Sequence, residues 1–221
     1  MIIGILAAMA MPSLEGAQIE RHTYDDAGQI LELVHTARTR AMGRGAATVV
    51  TFDAISGGAR GNYRLYEATS ANPGGANDST ARVPSASCTY PANAWDPKTT
   101  TGTNAFIDGV NLNSTFENEA NIMSRVVTFD NTGTPNVSTS NMVALCFTPL
   151  GRTYFWTGSP SNIPQFSAAA PFLGAIAIDV VHLFTGATSV TSANAQGVTR
   201  RVLVPSSGNA RINSTLSLPA P

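Results

Sequence analysis

The pattern of apolar and polar side chains divides the chain near Gly45. The first eleven residues carry no charged side chain and are followed by Pro12. From Leu14 to Arg44, apolar and small residues return at helical spacing, while charged residues such as Glu32 and Arg38 lie between them. This spacing predicts one long helix whose second half buries a stripe of side chains. The stripe consists of Ala27, Ile30, Leu31, Val34, Ala37, Ala41 and Met42.

After Gly45 the period shortens to two residues, and β-branched and aromatic side chains become frequent. Such alternation is typical of strands, and segments rich in Gly, Pro and Asn separate the runs. One helix followed by many strands predicts an α+β fold, in which an antiparallel sheet wraps the apolar stripe of the helix. The predicted strands are Ala47–Asp53, Tyr63–Ala68, Arg125–Asp130, Met142–Thr148, Thr153–Thr157, Ile176–Phe184 and Arg200–Val204.

Residues 70–123 are rich in Asn, Thr, Gly and Pro and show no clear period. A structureless stretch of this length is uncommon inside a domain, so we expect a surface insertion that holds a short strand or two. Cys88 lies in this insertion and Cys146 lies far beyond it, which excludes a local CxxC pair or zinc knuckle. Two alternatives remain: a long-range disulfide, which would imply export and is favoured, or two buried free thiols.

The charge balance and the composition limit the function classes to which the chain can belong. Thirteen basic and fourteen acidic side chains give a net charge of −1, and charged residues make up only 12% of the chain. Because a dedicated nucleic-acid binder carries a strong basic excess, this balance argues against one. The length of 221 residues and the 43% hydrophobic content suffice for one domain with a sizeable core.

The motifs of common enzyme classes, G-x-S-x-G, HExxH, Walker A and GxGxxG, do not occur in the sequence. The histidines His22, His35 and His182 are scattered, and we expect solvated or capping roles for them. Asp78, Asp96 and Asp108 lie without the spacing of a cation-binding loop. We therefore expect no enzyme, no catalytic residue, no cofactor and no metal site.

Five segments carry a resemblance to a known family. Ile3-Gly-Ile-Leu-Ala-Ala-Met-Ala-Met-Pro12 resembles the hydrophobic N-terminal helix of type IV pilins and type II secretion pseudopilins. The segment 37–45 leading into Thr48-Val-Val-Thr-Phe52 is similar to the helix end and first strand of the minor-pilin branch related to the H-type pseudopilin. The turns within 126–133 and 146–152 and the final 200–211 also resemble that branch.

The resemblance implies a pilin fold, with a long N-terminal helix, half apolar and half amphipathic, packed against an antiparallel β-sheet head. Residues 1–16 would form the apolar half of the stalk, and 17–221 the globular head with its insertion at about 70–123. About ten apolar residues, with a leader and its cleavage site, would precede Met1 and complete a span of roughly 20 residues. We expect Pro12 to bend or locally melt the helix. The filament or membrane positions are Ile3, Ile5, Leu6, Pro12 and Leu14.

The implied function is that of a structural minor pilin that assembles into, primes or decorates a type IV pilus. It would lie in the inner membrane before assembly and then in a filament at the surface of a Gram-negative-type bacterium. Other pilin subunits would bind its N-terminal helix, and a tip adhesin or other minor pilins would be further partners. One alternative is a type II secretion pseudopilin. The other is a DNA-binding subunit in DNA uptake, with contacts at Arg200, Arg201 and Arg211, although three arginines at net charge −1 favour the structural role.

Overall fold

The computed structural model describes residues 2–53, 61–70, 83–89, 106–112, 121–138, 142–159, 162, 164–167, 171–185, 187, 189–216 and 218. For 2–15, 69, 70, 83 and 138, it describes the backbone alone. This part of the chain holds one helix and twelve strands. They are α1 (Ile2–Arg44), β1 (Thr48–Asp53), β2 (Asn62–Glu67), β3 (Thr69–Ser70), β4 (Val83–Pro84), β5 (Phe106–Asn111), β6 (Ile122–Phe129), β7 (Pro135–Ser138), β8 (Met142–Phe147), β9 (Thr153–Gly158), β10 (Ala175–Leu183), β11 (Ala195–Pro205) and β12 (Arg211–Thr215).

Ten of these strands form two antiparallel sheets of five strands each. The first sheet has the order β5-β2-β1-β8-β9, the second has the order β12-β11-β10-β6-β7, and β3 pairs with β4. The predicted α+β class is therefore confirmed. The single wrapping sheet is wrong, because the second sheet is assembled around β10, which pairs with β6 and β11 and not with the first sheet.

The helix packs its stripe into a core that both sheets share. Five of the seven predicted stripe residues, Ala27, Ile30, Val34, Ala37 and Ala41, are fully buried. Leu31 is only partly buried and Met42 is half exposed, whereas Leu33, which the prediction omits, is buried. The buried face is therefore rotated toward the Leu33 side of the predicted stripe. Core partners from the sheets include Val50, Phe52, Val143, Leu145, Ile178 and Val202.

The C-terminal end of α1 is fixed to the first sheet by polar contacts. Gly45 ends the helix with a positive φ of 67°, a conformation that glycine adopts at little cost. The Thr48 hydroxyl donates a hydrogen bond of 2.7 Å to the Ala37 carbonyl. The Glu67 carboxylate pairs with Arg40 at 3.4 Å and with Arg44 at 3.0 Å. These contacts prevent the second half of the helix from moving independently of the sheet.

The outer face of the first sheet is covered by a segment of the insertion. Cys88 and Cys146 form a disulfide across 58 positions, with an S–S distance of 2.11 Å, which is the favoured alternative of the sequence analysis. The Ala47 amide donates to the Ser85 carbonyl, which lies beside the disulfide in the same segment. The segment 83–89 is thus pinned to the first sheet over an apolar cluster that includes Val49, Tyr66, Ala144 and Phe166.

Candidate functional site

The two five-stranded sheets and the helix residues packed between them, from Thr23 onward, are called the head below. The described side chains of α1 that precede this head are mostly exposed. Residues 16–21 are exposed except for the half-buried Ile19, and Thr23 is the first buried residue among the described side chains of the helix. The helix backbone begins at Ile2. About 20 helical residues therefore precede Thr23, which at 1.5 Å per residue is roughly 30 Å of helix.

The predicted filament or membrane positions Ile3, Ile5, Leu6, Pro12 and Leu14 all lie on this projecting helix. Their side chains lie outside the described residues. The helix continues through Pro12 without interruption, so local melting is wrong, and the expected bend stays a prediction. A proline removes one backbone donor, and the helical hydrogen bonds on either side suffice to hold this turn. Within the described residues, no helix is both long and apolar enough to cross a membrane.

Arg200 on β11 contacts the helix near the point where the helix leaves the head. The Tyr24 side chain is 52% exposed, and the Arg200 guanidinium lies over its ring at 5.5 Å from the centroid. Arg200 also donates a hydrogen bond to the Ser214 hydroxyl. One helical turn apart on α1, Arg21 and Asp25 form an exposed pair at 3.8 Å. Arg200 therefore joins β11, β12 and the helix.

The arginines proposed for DNA contact do not form one surface. Arg200 and Arg201 are neighbours on β11 and point to opposite faces of the sheet. The Arg201 guanidinium donates to both carboxylate oxygens of Asp179, at 2.6 and 2.9 Å. Arg211 is exposed on β12. Arg201 is thus engaged by an internal carboxylate and Arg200 by Tyr24, and DNA contact at these arginines stays a prediction.

Sequence reasoning missed a buried charged cluster in the second sheet. Asp179 is fully buried on β10, and its carboxylate also accepts a hydrogen bond of 2.9 Å from Arg125 Nε on β6. The pairing register places Arg125 and Arg201 directly across from Asp179 on either side. One signal could have found it, since Asp179 interrupts the apolar run Ala175–Leu183 and a buried carboxylate needs basic partners.

A second polar contact lies inside the core. The Tyr63 hydroxyl and the Ser124 hydroxyl form a hydrogen bond between the two sheets. Burial raises the pKa of the Tyr63 phenol far above its ordinary value, because the charged form would lose its hydration. This tyrosine therefore stays neutral and serves as a link between the sheets. Among the described residues, no group of three or more acidic, His or Cys side chains could hold a metal ion.

Comparisons of the chain with protein-family models, with curated proteins and with solved structures gave no match. Two features of the chain bear on its function. They are the helix segment before Thr23 and the surface of the two-sheet head.

Proposed function

We propose that the chain has a pilin fold and is a structural minor pilin that assembles into, primes or decorates a type IV pilus. The observation that carries this proposal is the first half of α1, which continues for about 20 residues before Thr23, the first of its described side chains that is buried in the head. Its segment 2–14 contains no charged residue. An uncharged apolar segment of helix needs an apolar environment, which lipid or a bundle of sister helices supplies.

The attachment of α1 to the head supports the same proposal. The second half of the helix is buried at Ala27, Ile30, Val34, Ala37 and Ala41 between both sheets. A force applied to the projecting half would reach the head through this packed stripe. A filament subunit needs such a rigid connection, because the helix assembles in the filament while the head faces outward.

The proposal assigns the partners and the location of the chain. Ile3, Ile5, Leu6 and Leu14 would contact the helices of other pilin subunits after the chain leaves the inner membrane. The head would then lie on a surface filament, next to other minor pilins or a tip adhesin. A type II secretion pseudopilin would use the same arrangement. The proposal assigns no catalytic residue and no cofactor.

Two matched variants of the helix test the proposal in cells that lack the native gene. Leu6→Arg places a charge in the uncharged segment, and Gln18→Arg places it at an exposed position of the same helix. A charged side chain within an apolar layer costs about 2.5–3.5 kcal/mol, so the Leu6 variant should enter sheared surface filaments at least about tenfold less. The Gln18 variant should enter them as the native chain does.

Equal incorporation of both variants would contradict the proposal, and so would absence of the native chain from the filament fraction. Deletion of the gene separates the two filament systems. Loss of surface filaments would support the pilus, whereas loss of protein export with normal surface filaments would support the pseudopilin.

A further inference from the structure

A groove of about 560 Å³ opens at one end of the head. It lies between the turn that connects β6 to β7 and the segment that leads into β10. Phe129, Phe155, Phe172 and Leu173 supply apolar walls, and Leu173 is 68% exposed. Its volume falls within the range of ligand pockets, roughly 300–1,000 Å³.

Contacts of the segment before β10 with β9 and β6 hold these walls in place. Phe155 on β9 belongs to the first sheet, and it stacks on Phe172 with ring centroids 5.3 Å apart and planes 19° apart. The Phe172 amide donates to the Thr153 carbonyl at 2.9 Å. Gly174 lies directly against the Phe129 carbonyl, where any Cβ atom would collide with the backbone. The groove is therefore preformed by the chain path.

The buried cluster of Asp179, Arg125 and Arg201 contacts Phe129, the remaining aromatic wall of the groove. The guanidinium of Arg201 lies 5.9 Å from the centroid of the Phe129 ring. Since Asp179 binds the same guanidinium through two hydrogen bonds, Arg201 cannot swing away to meet a ligand. Arg201 thus acts on the groove through the position of Phe129.

The rim of the groove determines which ligands fit. It carries the amides of Asn131 and Asn136, the hydroxyl of Thr134 and the carboxylate of Asp130, and no Lys, Arg or His is among the described residues that line the groove. Asp130 Oδ1 accepts hydrogen bonds from the Thr132 amide, the Thr132 hydroxyl and the Thr134 amide, which lower the pKa of this carboxyl. A phosphate or an acidic sugar would meet this carboxylate without a cation to neutralise it. Anionic ligands are therefore excluded.

We propose that this groove binds a neutral oligosaccharide of about two or three rings. A sugar ring presents one face of C–H bonds, which packs against aromatic rings, and an edge of hydroxyl groups, which pairs with amide and carboxylate groups. Phe129 and Phe172 supply the apolar faces, and Asn131 and Asn136 supply donors and acceptors at the rim. This activity is independent of filament assembly, since none of these residues lies on α1.

Saturation-transfer NMR and calorimetry on the full chain test the proposal, in a detergent that has no sugar headgroup. The probes are maltose, cellobiose, lactose and chitobiose. Irradiation of the phenylalanine protons should transfer saturation to the C–H protons of at least one of them. Asn136→Ala should weaken that binding about tenfold, because the rim loses a hydrogen-bonding amide.

Two further variants show where the sugar binds. Phe172→Ala removes one apolar wall and should also weaken binding about tenfold, with circular dichroism used to check that the head remains folded. Leu150→Ala, at an apolar side chain that is 88% exposed in the turn after β8, should leave binding unchanged. The Asn136 variant keeps the test valid if the Phe172 variant does not fold.

Absence of transfer to all four sugars at about 10 mM would overturn the proposal. Binding that is unchanged in the Asn136 variant and in a folded Phe172 variant would also overturn it, because the sugar would then lie elsewhere. Aromatic side chains also bind proline-rich peptides and quaternary ammonium ions. Binding of a proline-rich peptide or of tetramethylammonium, together with no binding of any sugar, would therefore also overturn the proposal.

Discussion

Asp179 is fully buried in the second sheet, between two arginines from neighbouring strands. Its carboxylate oxygens accept hydrogen bonds from Arg125 and Arg201, whose side chains are 10% and 14% exposed. A buried carboxylate is tolerated only when basic groups compensate for its lost hydration. Removing the charge would leave two guanidinium groups close together without the anion that separates them.

Asp179→Asn should therefore lower the free energy of unfolding by about 3–5 kcal/mol, as breaking a buried ion pair does. Urea unfolding followed by circular dichroism measures this loss. The matched control is Asp25→Asn, whose partner Arg21 is 81% exposed. An exposed pair contributes about 1 kcal/mol or less, so the control should unfold almost as the native chain does. Similarly small losses of unfolding free energy in both variants would mean that the charge of Asp179 does not stabilise the fold.

Asp130 gives a prediction about pH. Hydrogen bonds from the Thr132 hydroxyl and the Thr134 amide hold the pKa of the Asp130 carboxyl below its ordinary value of 3.8. Because the folded state favours the ionised form, Asp130 stabilises the fold above that ordinary value, and this contribution disappears as pH falls through the lower folded pKa. Asp130→Asn should thus destabilise the head at pH 7 and make little difference at strongly acidic pH. Urea unfolding at both pH values tests it, and an equal difference at both would disprove it.

At the scale of elements, the buried stripe of α1 determines which face of the helix packs against the sheets. Ile30 is fully buried between the sheets and Glu32 is exposed two positions later. Ile30→Ala should lower the free energy of unfolding by about 2–5 kcal/mol, because it removes buried methyl groups and leaves a cavity. Glu32→Ala should change it by about 0.5 kcal/mol or less. Equal effects in thermal or urea unfolding would show that the buried face is assigned wrongly.

The disulfide is the second element-scale feature with a measurable effect. It closes a loop of 58 positions and joins the segment 83–89 to β8. On the loop-entropy model, opening it should lower the free energy of unfolding by about 4 kcal/mol. The double variant Cys88→Ser with Cys146→Ser tests this by urea unfolding. As a control on the native chain, thiol titration of the unfolded, unreduced protein should detect no free thiol, and two thiols would disprove the bridge.

The sequence indicated those elements whose pattern is local. The spacing of Ile30, Val34 and Ala37 predicted the helix face, and alternation predicted seven of the strands. β7 could not be predicted in this way, because its four residues at the edge of a sheet begin with Pro135 and show no alternation. The split into two sheets and the partners of Asp179 depend on pairing between strands far apart in sequence. The groove was missed for the same reason, since Phe155 and Phe172 meet only after both sheets form.

At the scale of the whole molecule, the chain divides into a head that buries its own core and a helix that extends from it. All buried side chains of the described part of α1 lie at Thr23 or later. The contacts that hold the helix to the head, at Thr48, Glu67 and Arg200, involve helix residues from Tyr24 onward. Under the proposed function, folding and filament assembly should therefore depend on different halves of one continuous helix.

A variant that begins at Ala17 tests this separation. It should unfold cooperatively in urea, with a free energy of unfolding within about 0.5 kcal/mol of the full chain, because it retains every buried helix residue of the described part. Sedimentation should show a soluble monomer. The control begins at Gly28 and lacks Thr23, Asp26 and Ala27, all buried, so it should be clearly less stable. Precipitation of the first variant, or melting without a transition, would show that the projecting half of α1 is part of the folding unit.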